Sequence, residues 1–121
     1  MKIDYKIELD PVSFIAGDHQ EFQYHVMDAE TGFNVELTRT QEVKVAIYPF
    51  GDGGNPVLVV KGKILDNDSS SFLIKLNSSD TEELRGLYVQ QPIIVDHDGQ
   101  IFRPGQGTIN IYPRAYNETL E

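Results

Sequence analysis

Two acidic turns are the strongest places in the sequence to look for a bound metal ion. Residues 96–99 read D-H-D-G and residues 66–68 read D-N-D, so each turn brings together the oxygen ligands that Ca²⁺ prefers. A calcium loop also needs ligands in register and a bidentate glutamate at its end, whereas Gln100 and Ile101 follow the first turn. We therefore interpret both stretches as hairpin turns and predict no metal and no cofactor, unless the fold brings the two turns together.

The side chains that most often perform acid–base or nucleophilic chemistry are scattered along the chain. The three histidines are His19, His25 and His97. Nothing in their spacing indicates that they converge on a zinc ion. Residues 69–71 are serines without the G-x-S-x-G context of a nucleophile elbow. Glu82 and Glu83 are neighbours on a turn and point apart, so we predict no catalytic residues and no enzymatic activity.

A glycine-rich stretch, residues 51–55, is flanked by aromatic side chains. It contains no lysine and precedes a strand, so it does not fit a phosphate-binding loop. Tyr48 and Phe50 lie next to it, and exposed loop residues often contact partners. We therefore predict Tyr48 and Phe50 as interaction residues, the alternative being a mobile loop without a partner.

Composition and charge exclude several classes of function. The chain has 121 residues, enough for one domain with one core, and it has no cysteine for disulfides or a thiolate zinc site. Ten basic residues against nineteen acidic ones give a formal charge of −9, which argues against a nucleic-acid partner. The longest apolar run, residues 57–60, is too short to span a membrane, and Asp4 lies where a signal peptide would be apolar. We expect a soluble, unprocessed protein with no membrane partner.

Alternation of apolar and polar residues predicts β-strands along most of the chain. A period of two residues is typical of a strand with one buried face. The predicted strands are residues 3–9, 22–26, 43–48, 57–64, 72–76, 88–95 and 109–111, with a return strand between Gly99 and Gly105 and further short pieces at 12–16 and 35–37. Turn residues separate them about every eight to twelve positions, which is the spacing of a β-sandwich or a barrel.

One short helical turn is predicted near residues 79–84. Ser79 with Glu82, or Asp80 with Glu83, can form a reciprocal cap at its start. Leu84 supplies an apolar side chain that would close one end of the sandwich. No stretch carries a long helical period, so this turn is the only helix that we predict.

A structural corner is predicted directly after this turn, at Leu84, Gly86 and Tyr88. In β-sandwiches a tyrosine at the start of such a strand folds its hydroxyl back onto nearby backbone. Tyr88 has this position relative to the capped turn. We therefore predict that Tyr88 stabilises the fold and takes no part in chemistry.

The assembled pattern resembles a family of immunoglobulin-like sandwich domains of tailed-phage structural proteins, for example the N-terminal domain of phage upper baseplate proteins. The likeness covers most of the chain between residues 17 and 111. It rests on G-D at 17–18, D-x-x-T-G at 28–32, V-E-L-T at 35–38, V-K-V-A-I at 43–47, S-D-T-E-E-L-R-G-L-Y at 79–88, D-H-D-G at 96–99 and G-T-I-N-I at 107–111. The chain departs from the pattern in its extra first strand, in lacking a second domain, and at Pro92, which indicates a sheet edge or a bulge.

The resemblance implies an all-β, immunoglobulin-like antiparallel β-sandwich of about seven to nine strands. The sandwich would span residues 1–112, and residues 113–121 would form a C-terminal tail or arm. It implies a non-enzymatic structural or assembly protein of the virion (baseplate, tail or head), present in the host cytoplasm during assembly. The partners would be other virion proteins or further copies of this chain. The first strand, with Ile3, Tyr5 and Ile7, is the predicted detachable strand that could pair with a neighbour's sheet edge.

A carbohydrate-binding sandwich is the alternative prediction. The chain has aromatic side chains that could form a stacking face for sugar rings: Tyr48, Phe50, Phe102, Tyr112 and Tyr116. The absence of tryptophan makes this alternative less favourable, because the indole ring offers the larger stacking surface.

Overall fold

The computed structural model describes residues 3–38, 41–51 and 54–113, and the fold in these ranges is almost entirely β. The predicted tail at 113–121 therefore lies outside the described residues except for Pro113. The strands are β1 (Tyr5–Lys6), β2 (Val12–Ile15), β3 (Gln20–His25), β4 (Met27–Asp28), β5 (Glu42–Pro49), β6 (Leu58–Lys61), β7 (Lys63–Ile64), β8 (Ser71–Leu76), β9 (Gly86–Val95), β10 (Ile101–Phe102) and β11 (Gly107–Tyr112). One helical turn, α1 (Ser78–Thr81), lies between β8 and β9.

Two sheets pack against each other and enclose the core. The larger sheet has the strand order β2-β11-β9-β5-β6, with β10 also paired to β9, and the smaller sheet has the order β3-β8-β7. Neighbouring strands are antiparallel except β2 and β11, which are parallel. The predicted β-sandwich is confirmed, and the inward positions of both sheets alternate as the sequence indicates. A small additional sheet joins β1 to β4.

A buried polar pair connects the two sheets across the core. Tyr24 of β3 donates its hydroxyl hydrogen to the side-chain oxygen of Gln90 in β9, and both residues are buried. Burial raises the pKa of Tyr24 above its ordinary value, so the hydroxyl keeps its proton and remains a donor. Because a buried amide without a partner is costly, this bond favours one alignment of the sheets over others.

The N-terminal strand is much shorter than predicted. Only Tyr5–Lys6 forms a strand, although the alternation of residues 3–9 is real and Ile7 is buried in the core. After Lys6 the chain leaves the strand and runs across the segment that connects β10 to β11. There Ile7 N donates a hydrogen bond to Pro104 O at 3.1 Å. Gly105 permits this crossing, because a Cβ there would lie 2.5 Å from Ile7 O.

The strand predicted at residues 57–64 is two strands that belong to different sheets. β6 pairs with β5 in the large sheet, whereas β7 pairs with β8 in the small sheet. Gly62 lies between them and donates its N–H to Val43 O at 2.8 Å. A Cβ at Gly62 would lie 2.9 Å from Ile74 Cδ1 and 3.1 Å from Leu73 O, so only glycine fits where the chain changes sheets.

The bulge predicted at Pro92 is not observed, and the predicted sheet edge is present only locally, where one side of the strand lacks a partner. Pro92 lies in the central strand β9, which pairs with β5 in continuous register. On its other side β9 pairs with β11 as far as Gln90 and with β10 from Ile94 onward. Pro92 falls between these two partners, where the missing N–H breaks no bond of the ladder.

The helical turn has a different cap from either predicted pair. It spans Ser78–Thr81, and Asp80 Oδ2 accepts a hydrogen bond from Asn77 N at 2.7 Å. The predicted pairs are therefore out of register with the observed cap. Thr81 is fully buried, and its Oγ1 accepts from Gly17 N at 3.0 Å, so the turn is tied to the β2–β3 connection.

Candidate functional site

The corner residues have the arrangement that the sequence predicts. Tyr88 Oη donates to Arg85 O at 2.9 Å and accepts from Arg85 N at 3.1 Å. Gly86 has a φ of 103°, a conformation that suits glycine, and Leu84 is half-buried against the core. These contacts fix the connection between α1 and β9. The corner therefore has a structural role.

Replacing Tyr88 with phenylalanine is expected to lower the free energy of unfolding by about 1 kcal/mol, because both hydrogen bonds to Arg85 are lost. Urea denaturation followed by circular dichroism measures the change. Tyr112→Phe is the control, since the Tyr112 ring is exposed. An unfolding free energy of Tyr88→Phe equal to that of the wild type would remove the stabilising role of the corner.

The outward side of the large sheet combines several exposed apolar side chains with the polar residues Ser13, Gln91, Thr108 and Asn110, and we call this surface the outer face. Because side chains alternate along a strand, the neighbours of the core residues in β2, β5, β6, β9, β10 and β11 point outward. Several exposed apolar side chains on one side of a sheet are a feature of interaction sites. The exposed large hydrophobic side chains of the outer face are Ile15, Phe50, Val57, Val59, Leu87, Ile101 and Tyr112.

Strand pairing makes these side chains neighbours. Tyr48 pairs with Val89, and Ile15 pairs with Tyr112 at the sheet edge. Phe50 N donates to Leu87 O at 3.2 Å, which places Phe50 beside Leu87. These pairs place apolar side chains of neighbouring strands next to each other on the outer face.

The outer face carries little charge. Among the outward strand positions that the structure describes on this sheet, the side chains charged at neutral pH are Glu42, Lys44 and Lys61. Lys44 Nζ and Lys61 Nζ each lie 4.0 Å from Glu42 Oε1 at one end of the face. A face with two lysines and one glutamate contrasts with a chain whose formal charge is −9.

The predicted detachable strand does not form a separate surface. Ile7 lies in the core, and the Tyr5 ring packs edge-on against Phe102 with centroids 4.9 Å apart. The Tyr5 hydroxyl accepts a hydrogen bond from Gln41 Nε2 at 3.1 Å. Ile3 alone of the three predicted residues is exposed, so the structure does not bring Ile3, Tyr5 and Ile7 together as a contact site.

The other predicted interaction residues do lie together on the outer face. Tyr48 is half-buried there, and Phe50 is 55% exposed. Residues 52 and 53 of the glycine-rich stretch lie outside the described residues. Sequence reasoning missed Leu87 and Ile15, although β9 is apolar at both its inward and its outward positions, which is a signal of a second buried face.

The predicted aromatic stacking face for sugars is not assembled. Tyr48, Phe50 and Tyr112 share the outer face with aliphatic side chains. Phe102 instead packs against the core, and Tyr116 lies outside the described residues. If the chain binds a saccharide, other residues must form the site.

The histidines and acidic turns serve separate local structures. His19 Nε2 lies 2.9 Å from Glu21 Oε2, and this hydrogen bond holds the pKa of Glu21 below its usual range. His97 lies beside Asp98 at 3.6 Å. Asp96 Oδ1 accepts hydrogen bonds from the backbone of its own turn. In the described part of the chain, no three or more His, Asp or Glu side chains are placed to share a metal ion, and no helix there is long and apolar enough to cross a membrane.

Two features indicate which kind of β-sandwich this is. β2 pairs with β11 in parallel, and a tyrosine corner lies at the start of β9. The fold is immunoglobulin-like. Solved structures share it: CopC from Methylosinus trichosporium OB3b has a TM-score of 0.56 at 14% identity over 93% of this chain and 98% of its own. The SrpA adhesin from Streptococcus sanguinis has a TM-score of 0.51 at 10% identity over 97% of this chain and 63% of its own.

The fibronectin(III)-like modules of Clostridium thermocellum CbhA are more distant, with a TM-score of 0.45 at 9% identity over 90% of this chain and 96% of theirs. No protein-family model and no curated protein matches the sequence. Likenesses at these identities show the fold alone. None of these three proteins is described as a phage protein, so the phage origin implied by the sequence resemblance stays a prediction.

Proposed function

We propose that this chain is a non-enzymatic assembly module that binds a second copy of itself through the outer face. We further propose that it serves as a structural protein of a phage virion, in the baseplate, tail or head. The sequence resemblance supports the virion role, and the apolar outer face supports the mode of action. The single observation that carries the proposal is the row of exposed hydrophobic side chains on one side of the large sheet.

Burial of the outer face supplies the driving force for association. Phe50, Leu87 and Tyr112 are each about half exposed, as are Ile15 and Val59. Fully burying a large apolar side chain contributes about 1.5–3 kcal/mol relative to full exposure, and these half-exposed groups contribute part of that. Several such groups in one contiguous patch give a stable interface, because the water-excluded centre of an interface provides most of its energy.

Electrostatics permit a second copy to bind at the outer face. Two chains with a formal charge of −9 repel each other wherever their acidic surfaces approach. On the outer face Glu42 is accompanied by Lys44 and Lys61, and the remaining outward strand positions that are described carry no charge. Two copies can therefore approach through this face without bringing their acidic surfaces together. A two-fold axis would bury the same patch on both copies.

A charge introduced at Leu87 on the outer face tests the interface. We expect the wild type to be a dimer or a larger oligomer in size-exclusion chromatography with light scattering. Leu87→Glu is expected to weaken association by at least about a hundredfold, because a two-fold contact would bury a carboxylate of each copy. Ile3→Glu is the matched control, since Ile3 is an exposed apolar residue off this face and its replacement should leave the oligomer intact.

Two results would contradict self-association through the outer face. One is a wild type that stays monomeric at the highest soluble concentration. The other is a Leu87→Glu variant that keeps the oligomeric mass of the wild type. The virion role has its own test, since a gene flanked by tail or head genes is expected, and a gene among polysaccharide-degrading enzymes would speak against it.

A further inference from the structure

A cleft of about 750 Å³ opens where β3 ends and β8 begins, between the turns at residues 28–34 and 66–70. We call it the Phe33 cleft. Its volume lies within the range of small-molecule sites. The residues that line it include Phe33, Asn34, Glu36, Asn67 and Asp68. Neither the sandwich core nor the outer face accounts for this cleft.

Phe33 is the most exposed large hydrophobic residue of the described chain, at 75% of its surface. Its backbone is nevertheless held firmly: Asp28 N donates to Phe33 O at 2.8 Å, and Phe33 N donates to Thr31 Oγ1 at 3.2 Å. Gly32, with a φ of 74°, allows the tight turn before it. An aromatic ring that stands in water on a fixed turn is a ready surface for stacking, because little ordering is needed on binding.

The opposite wall of the cleft is polar and equally ordered. Asp68 accepts hydrogen bonds from Ser70 N at 3.1 Å and from Ser71 Oγ at 2.8 Å. These bonds hold the pKa of Asp68 below its usual range, so the side chain is a carboxylate at neutral pH. His25 lies between Ser71 Oγ, at 3.1 Å from its Nδ1, and Asn34 Oδ1, at 2.7 Å from its Nε2. Asn34 is thereby fixed beside the Phe33 ring.

Backbone hydrogen bonds join the floor of the cleft to both walls. Val35 N donates to Val26 O at 3.0 Å, and Leu37 N donates to Ser69 O at 2.8 Å. Val26 N donates in turn to Ser70 O at 2.8 Å. The floor, the turn at 28–34 and the turn at 66–70 are therefore one connected unit, which is the preorganisation that a small-ligand site requires.

We propose that the Phe33 cleft binds a neutral saccharide. One apolar ring face of the sugar would lie against Phe33, and its hydroxyls would exchange hydrogen bonds with Asn34, Asn67 and Glu36. Amide and carboxylate groups suit sugar hydroxyls, because an amide both donates and accepts hydrogen bonds and a carboxylate accepts them from two neighbouring hydroxyls. Among the residues that the structure describes, the lining contains carboxylates and no lysine or arginine, which disfavours an anionic sugar or a phosphate. The site is separate from the outer face and does not depend on self-association.

The test uses the full chain and a panel of neutral oligosaccharides built from glucose, galactose, mannose, xylose and N-acetylglucosamine. Saturation-transfer NMR identifies a binder, and calorimetry gives its affinity. We expect at least one oligosaccharide to bind and Phe33→Ala to weaken it by about tenfold or more, through loss of the stacking surface. Phe50→Ala is the matched control, because it removes an exposed phenylalanine from a different surface and should leave the affinity unchanged.

Asn67→Ala provides a second, independent variant, since its side chain is exposed and its loss should also weaken binding without unfolding the chain. The proposal is overturned if no saccharide of the panel binds the wild type, or if Phe33→Ala and Asn67→Ala both bind as the wild type does. It is equally overturned if a basic peptide or a polyamine binds this cleft and the neutral sugars do not. Failure of the Leu87→Glu experiment would leave the saccharide result unaffected.

Discussion

Replacing Phe72 with alanine is expected to lower the free energy of unfolding by about 4 kcal/mol. Phe72 is fully buried in β8, and its ring stacks on Tyr24 with centroids 5.0 Å apart. The ring also lies against the position where Gly62 moves the chain from one sheet to the other. The truncated side chain would leave a cavity at the point where the two sheets are joined, and the surrounding backbone is held by strand pairing and cannot collapse into it.

Urea denaturation with linear extrapolation measures this loss, which is a large part of the roughly 5–15 kcal/mol that stabilises a domain. Leu73→Ala is the control, because Leu73 is the next residue in the strand and points to the outward side of the small sheet. We expect Leu73→Ala to cost about 1 kcal/mol or less. A Phe72→Ala variant that loses no more than the control would show that this ring is not central to the core.

Replacing Gly105 with alanine is expected to cost about 3 kcal/mol, near the upper end for an added methyl group in a packed site. The new Cβ would lie 2.5 Å from Ile7 O, which is a backbone atom and cannot rotate away. The N-terminal segment would have to move, breaking the hydrogen bond from Ile7 N to Pro104 O and drawing Ile7 out of the core. The first residues would then detach more readily than in the wild type.

Two readouts separate this local effect from general destabilisation. Urea denaturation gives the free energy of unfolding, and tryptic cleavage after Lys6 under native conditions reports release of the segment. Gln106→Ala, at the exposed neighbouring position, is the control and should change the free energy by less than about 0.5 kcal/mol. If trypsin cleaved after Lys6 equally slowly in Gly105→Ala and in the wild type, the result would contradict the close packing of the N-terminal segment on the β10–β11 connection.

The sequence was sufficient to predict most of the strands, because the alternation of apolar and polar residues follows which side chains are buried. It also indicated the turn at Gly99, whose φ is 82°, and the hydrogen bonds of Tyr88 with Arg85. It could not show that residues 57–64 change sheets, since the alternation continues through Gly62 and only the approach of Ile74 explains the glycine. Nor could it show that the first strand ends after Lys6, because burial of Ile7 follows from a distant connection.

The surfaces were harder to predict than the strands. Tyr48 and Phe50 were identified as flanks of a loop, but alternation alone does not say whether the outward side chains of a strand meet water or a partner. Leu87 was therefore missed. The Phe33 cleft had no signal in the sequence, because Phe33 and Asp68 are brought to the same site only by long-range strand pairing.

Contacts between methyl groups of two differently labelled copies test self-association through the outer face most directly. In an equimolar mixture, one copy carries labelled Ile, Leu and Val methyl groups, and the other is unlabelled and fully protonated. We expect intermolecular nuclear Overhauser effects to the methyl groups of Leu87, Ile15 and Val59 on the outer face. Effects confined to Leu73 on the small sheet, or no intermolecular effects at all, would contradict it.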